Sequence, residues 1–330
     1  MLYIGIPRAL YYYKYYSLWK TFFEELGAKV VVSETTNKKI MLEGISSCIC
    51  EACLPIKAYF GHAISLFGKV DYIFIPRFTS VSRDQYICPQ LAGLPDMIRN
   101  TYKICPKIID TEINLRQSPK NAIKAALNAG SYITTDRRKI RKAYDRAVAA
   151  YQQEREVIKC GIVPFEDEKK GNLKVINNHK YDYTICIIGH HYNVYDSYLN
   201  MQLIKKLKML GAGVITLDML DYKLSKVACN ELSKMLYWDF GTRAYGGVVQ
   251  LINKNANIDG VIILTSYGCG VDSFVDELVQ SRLKCTSKIP SMKLTLDEHS
   301  ADAGMMTRIE AFIDMLARRK TYGFDVSSYR

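Results

Sequence analysis

The alternation of apolar and polar positions divides the chain into short β-branched runs and longer stretches of helical period. Leu2–Ile6 reads as a strand. Arg8–Leu26 reads as a helix whose apolar stripe is Leu10, Tyr11, Tyr15, Leu18, Trp19, Phe22, Phe23 and Leu26, closed by Gly27. Ala28–Val32 follows as a second strand and Asn37–Ile45 as a short helix. Ile56, Tyr59, Phe60, Ala63 and Ile64 recur at helical spacing, so a helix extends to about Phe67. Tyr72–Ile75 is the third strand, and Arg77–Arg83 reads as a polar loop. Gly93–Asp96 opens a helix over Met97–Tyr102, and Lys107–Ile109 is a fourth strand. An Ala-rich helix falls within 111–130, and Asp136–Lys159 reads as one long helix. The charged range 164–181, with Gly171, Asn177 and Asn178, reads as a linker.

The second half repeats the plan. Strands are predicted at Tyr183–Ile188, Gly213–Thr216, Gly260–Leu264 and Met292–Leu296. Helices are predicted at Ser197–Leu210, Ala244–Asn253, Val271–Arg282 and Thr307–Arg319. Gly189–Asp196 reads as the loop after the first of these strands. Strands alternating with helices predict an α/β chain with parallel sheets, doubly wound in each half. The expected division is residues 1–135, a long helix with linker over 136–181, and residues 182–330. The 330-residue length, 48% hydrophobic content and 24% charged content fit two globular domains of common size.

The net charge of +12 raises the question of nucleic acid. The basic residues are dispersed, however, and no nucleic-acid-binding motif is present. The densest run, Asp136–Lys142, continues into Ala143–Ala150 as the solvated face of one helix. An acidic partner protein or a phosphorylated ligand suits this charge better. No run reaches the roughly 20 apolar residues that cross a membrane, and the start lacks the regions of a signal peptide. The expectation is a cytoplasmic protein without membrane contact. Ten cysteines in that compartment argue for metal or redox use rather than a disulfide framework.

The densest thiol cluster is Cys48, Cys50 and Cys53, at a loop-to-helix boundary. Cys53 precedes Leu54-Pro55, and proline favours a helix's first turn. Cys88 likewise precedes Pro89, and Cys269 sits between Gly268 and Gly270 after an apolar strand. A thiol just before a helix meets the positive end of the helix dipole, which favours the thiolate. Three such thiols at strand-end or helix-start loops point to an iron–sulfur cluster held by Cys53, Cys88 and Cys269, with one iron left open. Zinc and a redox Cys50-x-x-Cys53 pair remain alternatives. Cys186, inside an apolar run, reads as core; Cys160, Cys229 and Cys285 read as structural, and Cys105 as a weak candidate.

Proton-handling groups gather at predicted strand ends: His190 and His191 after one strand, Glu298 and His299 after another. His62 lies along the helix that follows Cys53. Lys57 and Arg77 are candidates for holding an anionic group. Neither a G-x-x-x-x-G-K-[ST] loop nor a G-x-G-x-x-G after the first strand is present, so any ATP is bound by a partner.

Several of these segments, in order along nearly the whole chain, resemble a known family. They are Ile4–Leu10, Trp19–Leu26, Glu51–Lys57 with Gly61-His62, Tyr86–Pro89 with Gly93–Asp96, Gly189–Asp196, Ser266–Ser273, and Asp297–His299 with Thr307–Glu310. The chain resembles the superfamily of 2-hydroxyacyl-CoA dehydratases, benzoyl-CoA reductases and double-cubane cluster proteins, in its activase-associated DUF2229 branch. The resemblance implies two Rossmann-like domains with an iron–sulfur cluster in the cleft between them. It implies electrons from an ATP-hydrolysing activator that carries its own cluster, a small-molecule substrate (acyl-CoA among the candidates), and a homodimer. The family's three cysteines fall on Cys53, Cys88 and Cys269. Cys48 and Cys50 are additional, which leaves both a [4Fe–4S] cluster and a double-cubane [8Fe–9S] cluster in view. The alternative function is a non-catalytic cluster carrier or acyl-CoA-binding partner.

Overall fold

The structure, a computed structural model, describes residues 1–164, 181–253 and 257–322. Most of the linker expected over 164–181 lies outside the described residues. The described chain forms two compact units: residues 1–160 with 232–242, and the remainder.

In the first unit the order is β1 (Tyr3–Ile6), α1 (Tyr12–Glu25), β2 (Lys29–Val32), α2 (Lys38–Ser47), α3 (Leu54–Ile64) and β3 (Tyr72–Phe74). Then come β4 (Arg77–Ser80), α4 (Pro89–Thr101), β5 (Lys107–Ile109), β6 (Glu112–Asn114), α5 (Asn121–Ser131) and α6 (Arg137–Lys159). The sheet runs β2-β1-β3-β5, all parallel, with Ile4 opposite Val30 on one side and Tyr72 on the other. Its central residues Ile4, Ile73 and Ile109 are fully buried. α1 covers the sheet with Trp19, Phe22 and Phe23, and Phe74 lies against Trp19 and Phe23 at ring-centroid separations of 4.5 and 5.1 Å. Gly27 follows α1 at φ +93°, the left-handed conformation that glycine supplies without Cβ strain.

The second unit runs β7 (Tyr183–Gly189), α7 (His191–Tyr195), α8 (Leu203–Met209), β8 (Ala212–Thr216), α9 (Tyr222–Ala228) and α10 (Asp239–Asn253). The first four residues of α10 belong to the first unit. It closes with β9 (Gly260–Ser266), α11 (Gly270–Thr286), β10 (Ser291–Leu296) and α12 (Asp302–Tyr322). The sheet order is β10-β9-β7-β8, again all parallel. Counted from its own first strand, each sheet has the same order, second-first-third-fourth. The α/β fold with parallel, helix-flanked sheets is therefore as the sequence pattern predicts.

The differences are local and have physical reasons. Arg77–Arg83 is not wholly loop: β4 pairs in parallel with β6, burying Phe78 and Ser80 between more exposed neighbours. α4 begins at Pro89 rather than Met97, with Pro95 tolerated inside it at the loss of one amide donor. Gly189–Asp196 contains the short helix α7. The helix expected from Ser197 starts only at Leu203, because Met201 and Gln202 take left-handed φ values of 52° and 58°. α9, capped by Asp221, and β6 carry no clear periodic signal.

Candidate functional site

Cys53, Cys88 and Cys269 occupy equivalent local positions. Each is the N-cap residue of a helix, of α3, α4 and α11 respectively. In each case the backbone carbonyl closes the first turn: Cys53 O accepts from Ile56 N–H at 3.0 Å, Cys88 O from Leu91 N–H at 3.0 Å, and Cys269 O from Ser273 N–H at 3.1 Å. None of the three thiols is spent capping its own helix by hydrogen bond. All three are partly exposed. A sulfur at that position sits against the positive end of the helix dipole and the unpaired first-turn amides, which stabilise a thiolate. That donor chemistry fits an iron–sulfur cluster. Cys48 ends α2, and its thiol is pushed up by burial, against the pull of the Ile49 N–H and the Lys57 charge. Cys50 is exposed, and the described residues form no disulfide.

In the second unit the fold brings His190 to Cys269. β7 and β9 are adjacent, with Gly189 opposite Leu264. Their following loops therefore emerge side by side at the carboxyl edge of the sheet, where the strand order reverses and α/β sheets bind ligands. His190 leaves β7, Cys269 leaves β9, and Asp272 lies one helical turn beyond Cys269 on α11. One ligand atom from each of the three lies within 4.8 Å of the others. Asp272 is 1% exposed, and its Oδ1 is 2.9 Å from His190 Nε2. Its Oδ2 accepts from the Thr265 hydroxyl at 3.1 Å and the Ser266 N–H at 3.2 Å. Burial pushes the Asp272 carboxyl up, but His190 and these donors outweigh it and hold the group below its ordinary value. Tyr192 stacks on the His190 ring at 4.8 Å. Asn193, fully buried, accepts the Ser266 hydroxyl at 3.0 Å.

The remaining candidates have different settings. His191 is buried, with Nδ1 2.6 Å from Asp218 Oδ2, which also accepts the Tyr195 hydroxyl at 3.0 Å. His62 is wholly buried, its Nδ1 2.9 Å from the Ser33 hydroxyl and its Nε2 2.9 Å from the Thr36 hydroxyl. Both its nitrogens are thereby engaged within the fold. Lys57 is buried on α3, one turn beyond Cys53. Arg77 donates to both carboxylate oxygens of Asp96, at 2.6 and 3.0 Å, and to the Ala92 carbonyl at 2.8 Å. An anion at Arg77 would compete with that carboxylate. His299 is largely exposed, 3.7 Å from Glu298.

Sequence reasoning missed Asp272 and Asn193. The available signal was position: Asp272 is three residues after Cys269 at a predicted helix start, and Asn193 is three after His190, so each pair shares a helical face.

Comparison with protein families gives two matches that together run from residue 3 to residue 316. The family described as "CoA enzyme activase uncharacterised domain (DUF2229)" matches residues 3–220. The family described as "2-hydroxyglutaryl-CoA dehydratase, D-component" matches residues 217–316. No curated protein matches the chain.

Proposed function

The chain belongs to the family of the CoA enzyme activase uncharacterised domain (DUF2229), and from that membership we propose that it is the electron-accepting iron–sulfur component of a dehydratase- or reductase-type system. The observation that carries this reading is the matching setting of Cys53, Cys88 and Cys269, each an N-cap residue, in a chain whose later part matches a dehydratase component. We assign these three thiolates as ligands of a [4Fe–4S] cluster. A bound cluster of that kind supplies a low-potential electron and an iron position open to substrate.

The chain's own groups would do the rest. His190 would hold a proton for the substrate; its contact with Asp272 and its stacking on Tyr192 support that role. His191 is tied to Asp218, so it orients the loop after β7 as well as offering a second proton site. Glu298 and His299 are the more exposed proton carriers. Lys57, one turn beyond Cys53 on α3, and Arg77, which an anion would have to share with Asp96, are the cations assigned to an anionic substrate group. The partner is an ATP-hydrolysing activator, the substrate a small molecule such as an acyl-CoA, and the setting the cytoplasm.

Mixing the anaerobic protein with a reduced activator of this family and ATP tests the reading. Bleaching of the cluster absorbance that requires both activator and ATP is expected. Absence of bleaching from a protein with full iron and sulfide would contradict electron acceptance.

A further inference from the structure

The trio of His190, Cys269 and Asp272 has a geometry that three thiolates around a cluster do not account for. Imidazole nitrogen, thiol sulfur and carboxylate oxygen lie mutually within 4.8 Å. A nucleophilic relay would look different. In a thiol–imidazole–carboxylate relay the ring stands between its partners, and two hydrogen bonds end to end hold sulfur and carboxylate roughly 7 Å apart. Here the sulfur and the carboxylate oxygen are themselves close, so the three atoms face a common point.

The surroundings support a bound ion at that point. Asp272 is 1% exposed, its Oδ2 is fixed by Thr265 and Ser266, and its Oδ1 points to the His190 side, 2.9 Å from Nε2. Carboxylate ligands are typically oriented in this way, one oxygen held by outer groups and the other turned toward the neighbouring ligand atoms. Asn193 is fully buried with its Oδ1 satisfied by Ser266, and its Nδ2 has no hydrogen-bond partner among the described residues. Asn193 shares Ser266 with Asp272, and its buried amide donor suits a water or hydroxide on an ion.

We propose that His190, Cys269 and Asp272 form a mononuclear site for a divalent ion of the zinc class, with one coordination position open. Nitrogen, sulfur and oxygen donors in equal share suit zinc, cobalt(II) or iron(II) rather than magnesium or calcium. Tetrahedral bonds of about 2.0–2.3 Å put ligand atoms about 3.4–3.6 Å apart, so side-chain shifts of about an ångström complete the site. Cys269 cannot serve this ion and a cluster together. The mononuclear site therefore belongs to the cluster-free protein, and it stands whether or not the cluster assignment holds.

The test is cobalt(II) titration of the full chain purified without cluster. One cobalt per chain is expected, with a thiolate-to-cobalt charge-transfer band that Cys269→Ala abolishes and Cys50→Ala leaves intact. His190→Gln and Asp272→Asn should each weaken binding at least about tenfold. His190→Gln keeps the test valid if Asp272→Asn fails to fold, which circular dichroism reveals. A band that survives Cys269→Ala, or unchanged affinity in folded His190→Gln, would overturn the proposal. Iron and sulfide analysis of anaerobic protein tests the cluster reading separately, so the two can fail independently.

Discussion

Both ring nitrogens of His62 face hydroxyls, those of Ser33 and Thr36. Burial, with a smaller contribution from the Arg8 charge, lowers the imidazole from 6.5 to about 3. The unfolded chain therefore takes up this proton at higher pH than the folded one. The stability gained by keeping His62 neutral is complete above about pH 6.5 and is lost as the pH falls toward about 3, at about 1.4 kcal/mol per unit. Between pH 6.5 and 5 the loss from His62 is about 2 kcal/mol. His62→Gln should be less stable at neutral pH by about 1–3 kcal/mol, since two buried hydroxyls lose a partner, and its Tm should fall less steeply on acidification. Thermal melts from pH 7 to 5 check this; parallel curves for the two proteins would contradict it. In the sequence His62 and His190 are both histidines beside candidate chemistry, His62 on the helix after Cys53 and His190 at the end of a strand. What separates them is the partner, and Ser33 and Asp272 are too far away in sequence for local pattern to supply it. Asp272 was legible only as a helical neighbour of Cys269.

α2 and α3 cross with their backbones in contact. A Cβ on Gly44 would meet the Lys57 carbonyl oxygen at 1.9 Å, and one on Gly61 would meet the Ile40 carbonyl oxygen at 1.9 Å. No side-chain rotation relieves a clash with backbone, so the helices would have to part. Gly61→Ala should cost about 3 kcal/mol, and it should also lower iron retention, because these helices flank the loop that carries Cys48, Cys50 and Cys53. Denaturant unfolding with iron analysis of the same sample checks both; a loss below about 0.5 kcal/mol would show the crossing to be adaptable. At this scale the sequence was readable where the period was long. α1, α6 and the β7 and β9 strands follow directly from their apolar spacing. β4 and β6, of four and three residues, are too short to show alternation. The start of α4 was misread because Gly93-Leu-Pro95 looks like a helix opening, although Pro89 already provides one.

Both parallel sheets place their first and third strands side by side, so in each unit the loops after those strands meet where the order reverses. The second unit uses that crevice for His190, Cys269 and Asp272. The topology follows from the alternation of strands and helices, whereas the meeting of residues 190 and 269 follows from strand order, which alternation alone does not specify. None of the helices among the described residues is long and apolar enough to cross a membrane. The central claim is that Cys53, Cys88 and Cys269 carry an iron–sulfur cluster in a chain of the activase-associated family. It is tested most directly by iron and acid-labile sulfide per chain on anaerobically purified protein, in the wild type and in Cys269→Ala. The account predicts about four of each in the wild type and a marked loss in the variant, whereas about eight would add Cys48 and Cys50 to the ligand set. No iron or sulfide after reconstitution, or full retention in Cys269→Ala, would contradict it.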